Sequence, residues 1–330
     1  MKFLVPTGIG DICWALTKIQ SIAGGQPIDV DIACADPNDE IEMRALPFVR
    51  NFTFVRNAQL VYKRLCCQDP DPEFPGTPKD VDDEGLYRYI PSGPNGDHFI
   101  LIANGHLEKG ERLEQWLPEY RTDWSFARHF QFTDKYDSIF AHDCWEHAKQ
   151  IQLNRIGGDF AIFYLGPERG NVDAGHNRGF LWEPSDWVTL GKACNEAGLR
   201  VVVVGANYDR SYWERYVQEG VAAAGMKWLD LIGKLHIAET FALCQRSKFV
   251  VAYQSGIAIF SHYLGCKVAT WWRRKGDSIR PDKYLSFHEA MATAWNKPGT
   301  VENGTYLPLI YKRETVTDVI EMMRKRRWLR

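Results

Sequence analysis

At 330 residues, with 45 % hydrophobic and 25 % charged residues, the chain exceeds one typical domain, and two α/β domains with separate cores are expected. A net charge of −2 excludes a surface uniformly coated in positive potential, and no stretch approaches the roughly eighteen unbroken apolar residues of a membrane span. The eight cysteines are scattered without a C-x-x-C pair, several within apolar segments, which fits reduced thiols and a cytoplasmic location.

In chain order, residues 2–6 read as a strand rather than a secretory signal, because the apolar run is short and carries one lysine. The turn Thr7-Gly8-Ile9-Gly10 follows, then a helix with Ile12, Ala15, Leu16, Ile19 and Ile22 at helical spacing, Asp11 as its N-cap and Gly24-Gly25 as its stop. Residues 28–33 make the next strand of a βαβ opening. Residues 66–96 are rich in Pro, Asp and Gly and read as a long loop or lid; 98–103 is strand-like, and 104–124 has a helical pattern. A linker is expected near 148–158. From about residue 157, β-branched runs alternate with amphipathic helices, as in a parallel sheet. Strands are expected at 160–165, 199–204, 228–232, 249–253 and 268–271, and helices at 184–197, 208–224, 237–246, 256–264 and 316–327. The domains read as 1–153, binding the acceptor, and 154–312, binding a nucleotide sugar, with a C-terminal helix at 313–330.

Glycine turns between a strand and a helix carry the chemistry. Thr7-Gly8-Ile9-Gly10-Asp11 lets a ligand approach the backbone, but Cys13 stands where a dinucleotide fingerprint has its third glycine, so a nicotinamide site is disfavoured. Asp11 there is either a helix cap or a group at the mouth of a site. Tyr253-Gln254-Ser255-Gly256 links a buried strand to a short helix whose free N–H groups could hold a pyrophosphate; the alternative is a tight turn needed for packing. Gly205-Ala206-Asn207 and Ile232-Gly233-Lys234 sit at strand ends where a base and ribose lodge. Arg169 and Arg178 could neutralise phosphate charge from the loop 166–180. Asp29/Asp31, Asp69/Asp71 and Asp80/Asp82 have D-x-D spacing but read as a strand alternation and a solvated acidic loop, so no metal and no cofactor are expected; His142 and His147, at i and i+5, share no helix face well. The clusters 271–275 and 324–330 mix tryptophan with Arg and Lys, which reads as solvated helix-end charge or as phosphate contacts to a donor or to DNA.

Together, Phe3-Leu4-Val5-Pro6-Thr7-Gly8-Ile9-Gly10-Asp11, Phe180-Leu181-Trp182-Glu183-Pro184-Ser185-Asp186-Trp187, Val201-Val202-Val203-Val204-Gly205, Leu231-Ile232-Gly233-Lys234-Leu235, Ser255-Gly256 and Leu264-Gly265 resemble the heptosyltransferase family over the first 25 residues and about 160–272. The resemblance implies a GT-B fold, two Rossmann-like domains facing across a central cleft, and an inverting, metal-independent transfer with the donor in the C-terminal domain and Asp11 as general base. The family's Asp before [ST]-G is Gln254 here and its later histidine is Ile259, which points to a nucleotide sugar other than ADP-heptose. The acceptor is expected to be a saccharide or glycolipid hydroxyl. A hydroxymethylated pyrimidine in DNA is the second reading, and a non-catalytic nucleotide-sugar binder the third.

Overall fold

The computed structural model describes residues 2–5, 8–34, 44–62, 87–91, 99–103, 124–131, 156, 158–166, 182–253, 255–272, 299–310 and 314–330. The chain divides into two compact units, Met1–Tyr136 with Thr293–Trp295, and Asp137–Ala292 with Asn296–Arg330. Of the linker expected near 148–158, residues 148–155 and 157 lie outside the described residues, as does 104–123 of the helical reading.

In the first unit, β1 (Lys2–Val5) leads into α1 (Ile9–Ala23), β2 (Ile28–Cys34), α2 (Ala45–Arg50), β3 (Val55–Tyr62), β4 (Tyr87–Pro91) and β5 (Phe99–Ala103). The sheet runs β3-β2-β1-β5-β4; β1 to β3 are parallel, while β5 is antiparallel to β1 and β4 to β5. Helix α1 forms as its spacing predicts. Ile12, Leu16 and Ile19 are fully buried, each worth about 2 kcal/mol of apolar transfer, and Gly24 takes the left-handed conformation that ends it (φ 56°). Two expectations are corrected. The N-cap is Gly8, in extended conformation with its carbonyl accepting the Ile12 N–H at 2.8 Å, so α1 starts earlier than expected and Asp11 is its third helical residue rather than its cap. Strand β4 falls inside the stretch read as loop, because its hairpin partner β5 lies beyond that stretch.

Asp29 and Asp31 on β2 are committed to ion pairs. Asp31, 2 % exposed, meets Lys2 Nζ at 2.6 Å and accepts from Gln59 at 2.9 Å. Asp29 is gripped by Arg56, whose Nε lies at 3.0 Å, and by Asn57 at 2.9 Å. The hydrogen bonds from Arg56, followed by that from Asn57, outweigh partial burial and draw the Asp29 carboxyl from 3.8 down to about 2. A lowered carboxylate pKa stabilises the fold above the unfolded value, and that stability is lost as pH falls towards the folded one. We predict that wild type loses this contribution between pH 3.8 and about 2, and that Asp29→Asn flattens that part of the stability curve, as followed by urea denaturation at each pH.

The second unit holds β6 (Phe160–Tyr164), α3 (Pro184–Glu196), β7 (Arg200–Val204), a helical stretch α4 (210–223), β8 (Leu229–Asp230), α5 (Ile237–Arg246), β9 (Phe249–Tyr253), α6 (Gly256–Tyr263), β10 (Val268–Trp272), β11 (Tyr306–Ile310) and α7 (Val316–Lys325). Its sheet is parallel throughout in the order β11-β10-β9-β6-β7-β8. Val201 to Val204 are at most 1 % exposed, as expected for a strand covered on both faces. Alternate residues Phe163, Val203, Val251 and Leu309 join the core with α3, α4 and α7. Helix α6 packs beside α5 and against β9 and β10. Stretch α4 carries a π-helical turn at Trp213–Val217, which helical periodicity does not reveal.

The 324–330 segment is ordered, not a frayed end. Trp328 N–H bonds Met323 O at 2.9 Å and Arg327 N–H bonds Arg324 O at 2.9 Å, closing a Schellman motif with Arg327 at φ 57°. The Trp328 ring, 4 % exposed, stacks on Phe249 at 5.7 Å and donates to Gly304 O at 3.2 Å. Trp271 is also buried. Trp271 and Trp328 are therefore spent on packing.

Gly191 on α3 lies against Trp228, whose Cζ2 would sit 2.0 Å from an added Cβ. We predict that Gly191→Ala destabilises the unit by about 1–3 kcal/mol, despite a helix-propensity gain of about 1 kcal/mol, because the indole must move. Thermal unfolding measures this.

Candidate functional site

The strand order of the second unit defines the site. From β6 the chain moves outward through β7 and β8, then returns to the other side of β6 with β9 and moves outward through β10 and β11. The crossovers after β6 and β9 therefore diverge, leaving a crevice beyond the carboxyl ends of these two strands, where ligands bind in open parallel sheets. The turns after β6 and β9, with those after β7 and β8 beside them, compose this edge.

At the switch itself, Ser255 caps α6, its Oγ accepting the Ala258 N–H at 3.3 Å and its carbonyl the Ile259 N–H at 3.0 Å. Among the described residues the N–H groups of Gly256 and Ile257 have no acceptor. Two free donors at the positive end of a helix make an anion seat. The hydroxyl of Tyr253 turns the other way. It accepts from Trp182 N–H at 2.7 Å and Trp187 Nε1 at 3.3 Å within the packed rings of Trp182, Trp187 and Trp271, and burial holds its pKa well above the usual tyrosine value. Tyr253 thus builds the wall behind the turn.

On the β7 side, Asp209 organises the edge. Its carboxylate, 2 % exposed, accepts from Ala206 N–H at 2.8 Å and from Tyr164 OH at 3.4 Å, tying the turn after β7 to the end of β6. Side chains are excluded around it. An added Cβ would lie 2.2 Å from its Oδ1 at Gly166 and 2.8 Å from its Oδ2 at Gly205. Gly205 is therefore glycine to admit a buried carboxylate. Arg210 fastens the next turn: its guanidinium donates to the Ile232 carbonyl and pairs with Asp230 at 3.1 Å, while Lys234 Nζ meets the same carboxylate at 3.3 Å. Gly233 N–H donates to Gly205 O at 2.8 Å, and its positive φ of 67° is one that glycine takes without strain; the Asn207 amide lies against it. Ile232 is buried and contributes its backbone.

Behind the turn, His236 caps α5 through Nδ1, which accepts Ala238 N–H at 3.3 Å, while Glu239 accepts the His236 N–H at 2.8 Å. Burial lowers the imidazole pKa to about 4, so it is neutral near pH 7 and able to accept.

Of the expected site residues, the structure joins Gly205, Ile232 and Gly233 into one hydrogen-bonded edge and puts Ser255 and Gly256 at the switch point. Gly8, Gly10 and Asp11 lie at the start of α1 in the first unit. Thr7, Arg169, Arg178 and Gln254 lie outside the described residues, as do the Asp11 side chain and the D-x-D pairs at 69–71 and 80–82. Asp209, Arg210 and Tyr164 were not anticipated. The readable signal was an acid three residues beyond Ala206, the spacing of a capping box.

No protein-family model matches the sequence, and no curated protein does. Two of the solved structures that it resembles are E. coli heptosyltransferases. With ADP-heptose LPS heptosyltransferase II it shares 13 % identity over 98 % of this chain and 97 % of that one, at a TM-score of 0.53. With heptosyltransferase WaaC, solved with ADP, it shares 12 % identity over 99 % and 100 %, at 0.51. The fold is that of the heptosyltransferases. Its two Rossmann-like α/β units are those of the GT-B class, and the sequence is strongly divergent from both E. coli enzymes. No helix among the described residues is long and apolar enough to cross a membrane.

We predict that Asp209→Ala costs about 1–3 kcal/mol, because it removes the acceptor of the half-buried Ala206 N–H and of the Tyr164 hydroxyl, and that Asp209→Asn costs less by keeping one acceptor. Chemical denaturation of the two variants tests the order.

Proposed function

We propose that the chain is an inverting glycosyltransferase that moves a sugar from a nucleotide-sugar donor to the hydroxyl of a saccharide or lipid-linked saccharide. The observation that carries the donor half is the switch point, where the Gly256 and Ile257 N–H groups at a helix start have no acceptor among the described residues. The heptosyltransferase fold, seen in an enzyme solved with ADP, supports the same reading.

In this mechanism the leaving diphosphate lies against the α6 N-terminus, and Arg169 and Arg178 neutralise its charge. The base and ribose rest on the turns containing Gly205, Ile232 and Gly233, with Tyr253 as the wall behind Gln254 and Ser255. Gly8, the N-cap of α1, and Gly10 in its first turn precede Asp11. The Asp11 carboxylate takes the proton from the acceptor hydroxyl as its oxygen bonds to the anomeric carbon, and the bond from that carbon to the donor phosphate oxygen breaks with inversion. As the third residue of α1, Asp11 sits in the first turn, where the helix dipole favours a carboxylate. No metal enters the mechanism; the proposed charge balance comes from helix donors and arginines. Gln254 and Ile259, in place of the family's acid and histidine, favour a donor other than ADP-heptose.

We predict that a thermal-shift screen of UDP, ADP, GDP and CDP sugars finds one nucleotide class that raises the melting temperature, by mass action on the native state. Asp11→Ala is predicted to keep that shift and to lose at least about a hundredfold in turnover, the usual contribution of a general base. Unchanged turnover would remove Asp11 from the chemistry, and a shift without any turnover in wild type would favour a non-catalytic binder.

A further inference from the structure

We propose that the amino edge of the second unit is a docking surface for an anionic phospholipid membrane, formed by Arg324, Lys325, Arg327 and Arg330. All four are exposed, and among the described residues none has an ion pair, although Glu321 and Glu302 are near in sequence or in the fold. Their frame is fixed. Trp328 and Leu329 are buried, Arg326 donates to Tyr306 O at 3.0 Å, and Trp328 stacks on the first residue of β9. The patch therefore sits at the beginnings of β9 and β11, on the sheet edge opposite the switch point. Exposed Arg246 at the end of α5 and half-buried Lys267 before β10 extend it, while Lys248 is neutralised by Asp159 at 2.9 Å.

Helix-end cations normally complement a dipole, and one or two suffice. Arg327 exceeds that need. It stands at the left-handed position of the Schellman motif, which glycine fills without a Cβ clash, so an arginine there keeps a charge at a backbone cost. The kind of partner follows from what accompanies the charges. Trp328, the aromatic residue of this segment, is in the core and is not presented to stack on bases. The apolar residues of α7, Val319, Ile320 and Met323, are likewise buried in the unit and are not offered to a bilayer. What is left is a compact group of exposed cations on a chain of net charge −2, suited to a plane of lipid phosphates and less to the long stripe that tracks a nucleic-acid backbone. Attachment is then electrostatic, reversible and salt-sensitive. It would hold the protein where a lipid-linked acceptor resides, but the patch stands independently of the transferase reading.

The test is co-sedimentation of the intact protein with phosphatidylcholine vesicles, with and without phosphatidylglycerol, at low and moderate salt. Binding is expected only to the anionic vesicles, weakening as salt rises. Each neutralised cation lowers affinity about fivefold, so Arg324→Gln, Lys325→Gln, Arg327→Gly and Arg330→Gln combined lose roughly several-hundred-fold. Arg327→Gly alone separates surface from scaffold: it should bind vesicles less well while melting no lower than wild type. Three results would overturn the proposal: no binding of wild type to anionic vesicles at low salt, equal binding by the combined variant, or salt-dependent binding of duplex DNA through the same cations with vesicles ignored. The nucleotide thermal shift, read on the same combined variant, should be unchanged, which keeps failure here distinct from failure of the donor site.

Discussion

The second unit depends on one constraint. A parallel sheet joined by right-handed crossovers can return to its centre only by reversing direction, and the reversal leaves two adjacent strand ends whose connections part. Here those strands are β6 and β9. Two features of this edge belong to that parting: the half-buried start of α6, and the neighbouring turns, whose glycines make room for Asp209 and Asn207.

Holding the turns still is a polar task shared by the buried Asp209 and the half-buried Arg210. Asp209 and Arg210 are neighbours in sequence yet act on different turns, one through the backbone and hydroxyl behind β6 and β7, the other through the carbonyl and carboxylate of the β8 turn. A buried carboxylate with two donors locks geometry because losing either donor is costly. The aromatic wall does the same for β9. Tyr253 gives its oxygen to two nitrogen donors in the core, so the chain after it is fixed when it reaches Ser255.

Much of this was legible in the sequence, for identifiable reasons. Long helices with regular apolar spacing, such as α1 and α5, and continuous β-branched strands, such as β7, carry a period that packing reinforces. The glycine turns were found because each sits between such elements. Elsewhere the signal was weak. Helix α2 has six residues and contains Pro47, and β11 contains Pro308, tolerated because that strand is at the sheet edge. Strand β4 becomes a strand through its partner. Asp11 was misread as a cap because capping depends on where the first helical hydrogen bond closes, and Gly8, having no side chain to advertise the role, closes it. The basic aromatic run 324–330 looked like one feature, but the fold separates it, burying Trp328 and exposing the charges.

The most direct measurement is amide hydrogen exchange on the intact chain, with and without the nucleoside diphosphate that most raises its melting temperature. Slowed exchange at Gly256 and Ile257, together with the turn 205–207, is the predicted result. Protection confined to other elements, with those two amides exchanging as fast as in the free protein, would contradict a donor seat at the β6–β9 switch.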